Sequence, residues 1–165
     1  GQLNEARESL KPLIDKAPDN ITYNLALINL DITNNRFPDA EQRVDRMLDK
    51  FPDNYPLNQA KVDVLLKQSK APEALKALET LLKGRPDDPD IWNQVADTRG
   101  LSGNTIGSHQ ARAEYFALMG DFKQAVQQLE FAKRRANNNF QLASRIDARQ
   151  QEIIAQERAV KELMN

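Results

Sequence analysis

Three short segments, "KAPDN" at 16–20, "KFPDN" at 50–54 and "GRPDD" at 84–88, place Pro18, Pro52 and Pro86 at a fixed interval of 34. Pro is poorly tolerated in a helix interior and disfavours helical backbone in the residue before it, so each segment is read as ending a helix at the same phase. A fixed period of this length means that one small supersecondary unit is reused along the chain. Other positions keep step: Ala6, Ala40 and Ala74; Leu10, Val44 and Leu78; Leu13, Met47 and Leu81; Ile14, Leu48 and Leu82. The small residues allow two helix backbones to approach, and the large apolar residue one turn later fills the contact. A single helix pair covers only part of its apolar surface, so stacking on the next pair must cover the rest.

A period of 34 with these residue types resembles the tetratricopeptide repeat. The resemblance implies an all-α fold, a tetratricopeptide-repeat α-solenoid. The coarse pattern predicts nine helices, at about 2–16, 21–34, 37–50, 55–69, 72–84, 89–102, 105–119, 122–136 and 138–163. On this register, 1–165 is a single solenoid domain: a half repeat at 1–20, repeats at 21–54 and 55–88, an irregular stretch at 89–136 and a capping helix at 138–163. The chain opens on "GQLNEARESL", without Met and already inside a helical pattern, which points to a piece of something longer. A secretory leader would not be visible in such a piece. The first helix would then be a second helix without its partner, and its exposed face should be apolar.

The regularity breaks once. Ser108 holds the place one full period after Ala74, which makes 105–119 the second helix of its unit. Yet "GDF" at 120–122, followed by Ala125 and Leu129, is also the turn and second helix of a repeat. The helix "SHQARAEYFALM" thus serves twice, closing one repeat and opening the next. One helix has been skipped, which should change the superhelical path there. The long final helix then packs as a cap. Its Glu157 and Lys161, at i,i+4, mark a solvated face.

Composition removes several functions. With 23 basic and 24 acidic residues the chain has no electrostatic footprint for nucleic acid. No apolar run is long enough to span a bilayer. Cys is absent, which removes disulfides and thiolate metal sites. His109 is the sole imidazole, so no HExxH zinc site can be built, and it is read as a structural residue. "GLSGNTIG" at 100–107 is rich in Gly, but it matches neither phosphate-binding fingerprint and is read as a turn. "KRR" at 133–135 stands in the last turn of a helix, where cations complement the helix dipole. Trp92, Tyr115 and Phe116 are assigned to the core. No nucleophile has a plausible base beside it, so neither catalysis nor a cofactor is expected of this stretch.

In the repeat class, first helices line a groove that takes extended or helical peptides. Carried onto this register, the groove residues are Leu25, Asn29 and Thr33; Gln59, Asp63 and Lys67; and Asn93, Asp97 and Leu101. The stripe Asn29, Asp63 and Asp97 is polar to acidic. It differs from the Lys and Asn clamp of chaperone-binding members, and it should repel a partner's terminal carboxylate.

Four segments narrow the resemblance: "FPDNYPLNQAKVDVLLKQ", "RPDDPDIWNQVADTRGLSGN", the shortcut "SHQARAEYFALMGDFKQAVQQLEFAKR" and the closing "NNNFQLASRIDARQQEI". Together they resemble the C-terminal repeat region of the bacterial β-barrel assembly-enhancing protease (BepA) family. That resemblance implies a periplasmic location and an N-terminal zinc metalloprotease domain, with HExxH, outside this sequence. Its zinc would belong to that domain, which could also contact the repeats within one molecule. The implied partners are the β-barrel assembly machinery and its outer-membrane substrates, such as the lipopolysaccharide transporter LptD. The alternative is a generic repeat scaffold of an envelope or secretion complex with no protease attached.

Overall fold

The computed structural model describes residues 2–136 and 138–164, without the side chains of Gln2 and Leu3. Among the described residues the structure is all-helical: α1 (Gln2–Lys16), α2 (Ile21–Thr33), α3 (Phe37–Lys50), α4 (Tyr55–Lys67), α5 (Ala71–Gly84), α6 (Pro89–Leu101), α7 (Thr105–Leu118), α8 (Phe122–Arg135) and α9 (Phe140–Leu163). Each expected helix is present, with ends within about two residues of expectation, as fraying allows. The last begins at Phe140 rather than at 138, because Asn139 is its N-cap and accepts from Leu142 N at 2.9 Å. The chain forms two compact units, Gly1–Gly84 and Arg85–Asn165.

Two kinds of turn alternate, and the residues that make them are periodic. In the first kind, the residue after the Pro-Asp pair caps the next helix. Asn20 Oδ1 accepts from Tyr23 N at 3.0 Å, and Asn54 Oδ1 from Leu57 N at 3.1 Å. Asp88 Oδ1 accepts from Asp90 N at 3.0 Å. Each satisfies a donor the helix leaves open. One turn further on, a side chain donates back to the Pro carbonyl: Asn24 to Pro18 at 3.0 Å, Asn58 to Pro52 at 2.7 Å and the Trp92 indole to Pro86 at 2.7 Å. Trp92 is therefore a half-buried turn fastener and not a core residue, because its N–H is needed at the turn. Tyr115 is also only half-buried, whereas the half-buried Phe116 packs against the hydrophobic cluster of its unit, as expected; their rings lie 5.1 Å apart in an edge-on pair.

The second kind of turn needs a left-handed residue. Asn35, Ser69, Gly103 and Gly120 all have φ between 57 and 78°. The next residue donates back five positions, as in Arg36 N to Asp31 O, Lys70 N to Leu65 O, Asn104 N to Arg99 O and Asp121 N to Phe116 O. This closes the open carbonyls of each preceding helix. Asn35, Ser69 and Gly103 are one full period apart, whereas Gly120 follows after half a period, so the same turn recurs after one helix instead of two. Left-handed backbone costs an L-residue about 1–2 kcal/mol, less for Asn, whose side chain tolerates it. Ser69→Gly is thus expected to raise stability by about 1 kcal/mol in urea unfolding, and Asn35→Gly by less.

In the first unit, Ile28, Ala40, Val44, Met47, Leu57, Val64 and Ala74 form one buried cluster. Ala40 and Ala74 are fully buried at helix crossings, as the pattern predicts. The equivalent α1 residues Ala6 and Leu13 are exposed, the latter by 42%. The expectation of an apolar exposed face is met only along this stripe, since most other exposed residues of α1, among them Glu5, Glu8, Lys11 and Asp15, are charged. α3 is pinned to α4 and the following turn by Glu41, which accepts from Gln68 at 2.7 Å, Lys70 at 2.8 Å and Lys61 at 3.3 Å. The Lys70 hydrogen bond, against an opposing cost of burial, leads in holding the Glu41 carboxyl at about 2 instead of 4.5. A depressed folded value means that this stabilisation is present above pH 4.5 and fades as pH falls towards 2. After allowance for solvent screening it amounts to about 1 kcal/mol. Glu41→Gln is expected to flatten the acid limb of a pH series of urea midpoints by that amount.

In the second unit α7 packs against α6 on one side and α8 on the other. Towards α6 it behaves as a second helix: Ser108 Oγ donates to Ala96 O at 2.7 Å. Towards α8 and α9 it behaves as a first helix. Ala113 joins Ala125, Leu129, Ala132, Ile146 and Ile153 in the cluster of this unit. Arg149 of α9 grips Glu114 of α7 with both ends of its fork, at 2.8 and 2.7 Å. The Glu114 hydrogen bond leads in raising the Arg149 pKa. The helix-skipping reading and the capping role of α9 therefore agree with the packing.

Candidate functional site

Equivalent positions of the period on α2 and α4 converge on one groove. Asn29, Ile32 and Thr33 from α2, with Asp63, Leu66 and Lys67 from α4, line a space of about 540 Å³. The residues at 29, 33, 63 and 67 are expected from the register. Ile32 and Leu66 were not expected, although they too stand one period apart, a signal available in the sequence. They give the groove an apolar floor below a polar rim, the mixture by which a pocket takes an apolar side chain and orients a backbone. Gln59 Nε2 donates to Asp63 Oδ1 at 3.5 Å. The side chain of Asp63 opens to solvent between the two helices, and the groove walls push its carboxyl above the usual range, against Gln59 and Lys67. Leu25 lies lower on α2, half-buried against the hydrophobic cluster.

In the second unit the acidic stripe is not free. Arg112 of α7 donates to Asn93 Oδ1 and to Asp97 Oδ1, both at 2.6 Å. The Asp97 carboxylate is thereby paired, which corrects the expectation of an uncompensated acidic lining at this position. The cause is the double use of α7: a helix placed as the partner of α6 carries an Arg that no single-helix pattern connects with Asp97. Leu101 is 73% exposed at the end of α6.

The remaining sequence features take structural parts. His109 Nδ1 lies 2.8 Å from Gln128 Oε1, with its ring 5.5 Å from that of Phe131. In "GLSGNTIG", Gly103 supplies the left-handed turn residue and Asn104 caps α7 by accepting from Gly107 N at 2.9 Å. Lys133 pairs with Asp147 of α9 at 2.6 Å, and Arg134 lies over the Phe131 ring. Among the described residues, no group of His, Cys, Asp or Glu could hold a metal ion. None of their helices is long and apolar enough to cross a membrane.

Family models described as tetratricopeptide repeat match residues 1–57 and 60–98, between them more than half of the chain. The chain is a tetratricopeptide-repeat protein. Such repeats form a non-catalytic, all-α solenoid scaffold for contacts between proteins. Two solved structures share the fold. "MamA RS-1 ArsTM double mutant" is 18% identical with a TM-score of 0.66, over 94% of this chain and 86% of the other. TTC0263, a thermophilic tetratricopeptide-repeat protein of Thermus thermophilus, is 14% identical with a TM-score of 0.56, over 90% of each. No curated protein matches the chain.

Proposed function

We propose that this tetratricopeptide-repeat protein recruits outer-membrane β-barrel proteins, such as LptD, and the β-barrel assembly machinery to a periplasmic zinc metalloprotease of the β-barrel assembly-enhancing (BepA) family. The observation that carries the recruiting role is the groove between α2 and α4, where Ile32 and Leu66 lie under a polar rim. A segment of an unfinished barrel exposes alternate apolar side chains beside unpaired backbone groups. Such a segment could set one apolar residue on this floor while the rim holds its backbone. The choice of partners and of compartment rests on the four segments that resemble the repeat region of that protease family. Zinc does not fit the residues present, since the sole imidazole is engaged with Gln128. It would belong to the protease domain.

The test is photocrosslinking in cells, with a photoreactive residue at Asn29, Asp63 or Lys67 of the full-length protein and the exposed Lys76 of α5 as control. Adducts with barrel-assembly components or LptD from the groove positions alone are expected. Adducts only from Lys76, or none with envelope proteins, would refute the reading. Asp63→Lys is expected to change the adduct yield from neighbouring groove positions and to leave the melting midpoint nearly unchanged, because the side chain is exposed and surface substitutions usually move stability by no more than about 0.5 kcal/mol.

A further inference from the structure

On α3 of the first unit, two arginines share one neutral acceptor. Arg43 Nη1 and Arg46 Nη2 both reach Asn24 Oδ1, at 3.4 and 3.3 Å. These are weak hydrogen bonds by length. Among the described residues neither guanidinium forms an ion pair, and Arg43 Nε is buried with no hydrogen-bond partner. Of the nearby carboxylates, Asp39 is engaged elsewhere, and Asp31 is engaged through Oδ1 while its Oδ2 is buried without a hydrogen-bond partner. Fully buried Asp31 is bonded through Oδ1 to Arg7 Nε at 2.8 Å, and Asp39 is held by Arg36 at 2.9 Å. Arg7, Asp39, Gln42, Arg43 and Arg46 line a pocket of about 420 Å³. A second pocket, of about 380 Å³, shares Arg43 and Arg46 and adds Lys11 and Asp15.

Two adjacent cations repel, and partial burial disfavours the charge on Arg43. For Arg43, burial first and the Arg46 charge second lower the pKa, against the attraction of Asp31 and Asp39. An oxyanion placed between them reverses the repulsion and offers both guanidinium groups a charged acceptor. The planar fork of Arg suits a carboxylate or a phosphate equally. Charge decides between the two. Asp39 and Asp15 lie on the pocket walls, and they oppose a dianionic phosphate more strongly than a singly charged carboxylate.

We infer that Arg43 and Arg46 form a carboxylate-binding site that takes an Asp or Glu side chain from an acidic segment of a partner protein. The site shares no residue with the α2–α4 groove and stands independently of the function proposed for that groove.

The test is NMR of the arginine Nε–H signals in the full chain, titrated with a capped short oligoglutamate peptide. The oligoglutamine analogue and inorganic phosphate serve as comparison probes. The oligoglutamate is expected to shift the Arg43 and Arg46 signals saturably, to weaken with added salt, and to lose affinity by about tenfold in R46Q or R43Q. Arg46 is exposed, so R46Q keeps the fold should R43Q not. An absent response, or one that survives R46Q, would overturn the site. Saturation by phosphate below the peptide concentration would overturn its assignment to a carboxylate. Arg43 turned inward onto Asp31 Oδ2 would leave its signal indifferent to the peptide, and that result also counts against the inference.

Discussion

Replacing Ala74 by Trp is expected to cost about 1–3 kcal/mol, the usual range for overpacking a core. In a chain of this size that corresponds to a fall of roughly 2–12 °C in melting midpoint. Ala74 is fully buried in the cluster that contains Ala40, Leu57, Ala60 and Val64, so an indole there must push α5 away from α4. Ala40→Trp should behave alike at the crossing of α3. Ala6 supplies a control from within the chain: it holds the same place in the period but is exposed. Ala6→Trp is therefore expected to change stability by about 0.5 kcal/mol or less. Thermal melts of the three variants decide the matter. Equal effects at all three positions would show that crossing geometry is not what the small residue serves.

Asn58→Ala is expected to cost about 1–3 kcal/mol, because it removes a buried side-chain donor that closes the turn. Asn58 is 6% exposed, and its Nδ2 donates to Pro52 O at 2.7 Å and to Asn54 O at 3.0 Å. The Asn54 carbonyl keeps the Asn58 backbone N–H, so the loss falls on Pro52 O. Trp92→Phe removes the corresponding donor to Pro86 O in a half-buried setting, where water can take its place. Its cost should be under about 1 kcal/mol in the donor alone. Urea unfolding gives both values, and amide exchange around 51–54 should quicken in Asn58→Ala only.

The period carried the helix order, the crossing alanines and the double use of α7, because each depends on spacing along one chain. Contacts between helices were less legible. Pro18, Pro52 and Pro86 read as stop signals, yet the residue six places after each is the donor that fixes the turn, and it changes from Asn to Trp at position 92. A motif search keyed to residue type passes over that change. Asp97 reads as free in a one-helix pattern, while its partner Arg112 stands on the following helix, which has two allegiances. In the α2–α4 groove the polar rim was legible and the floor was not. Ile32 and Leu66 fall beside the positions that the register assigns to the groove, where apolar residues pass for core.

The half-period step from Gly103 to Gly120 changes the parity of the chain. Before it the even-numbered helices open each pair, and after it the odd-numbered ones do. A block of whole pairs can be exchanged on either side of α7, whereas a splice across it must carry an odd number of helices to keep every turn in phase. α7 thus works as an adapter between two incompatible counting schemes, and Gly107, Ala111 and Ala113, all buried, are the small residues that let one helix fit both.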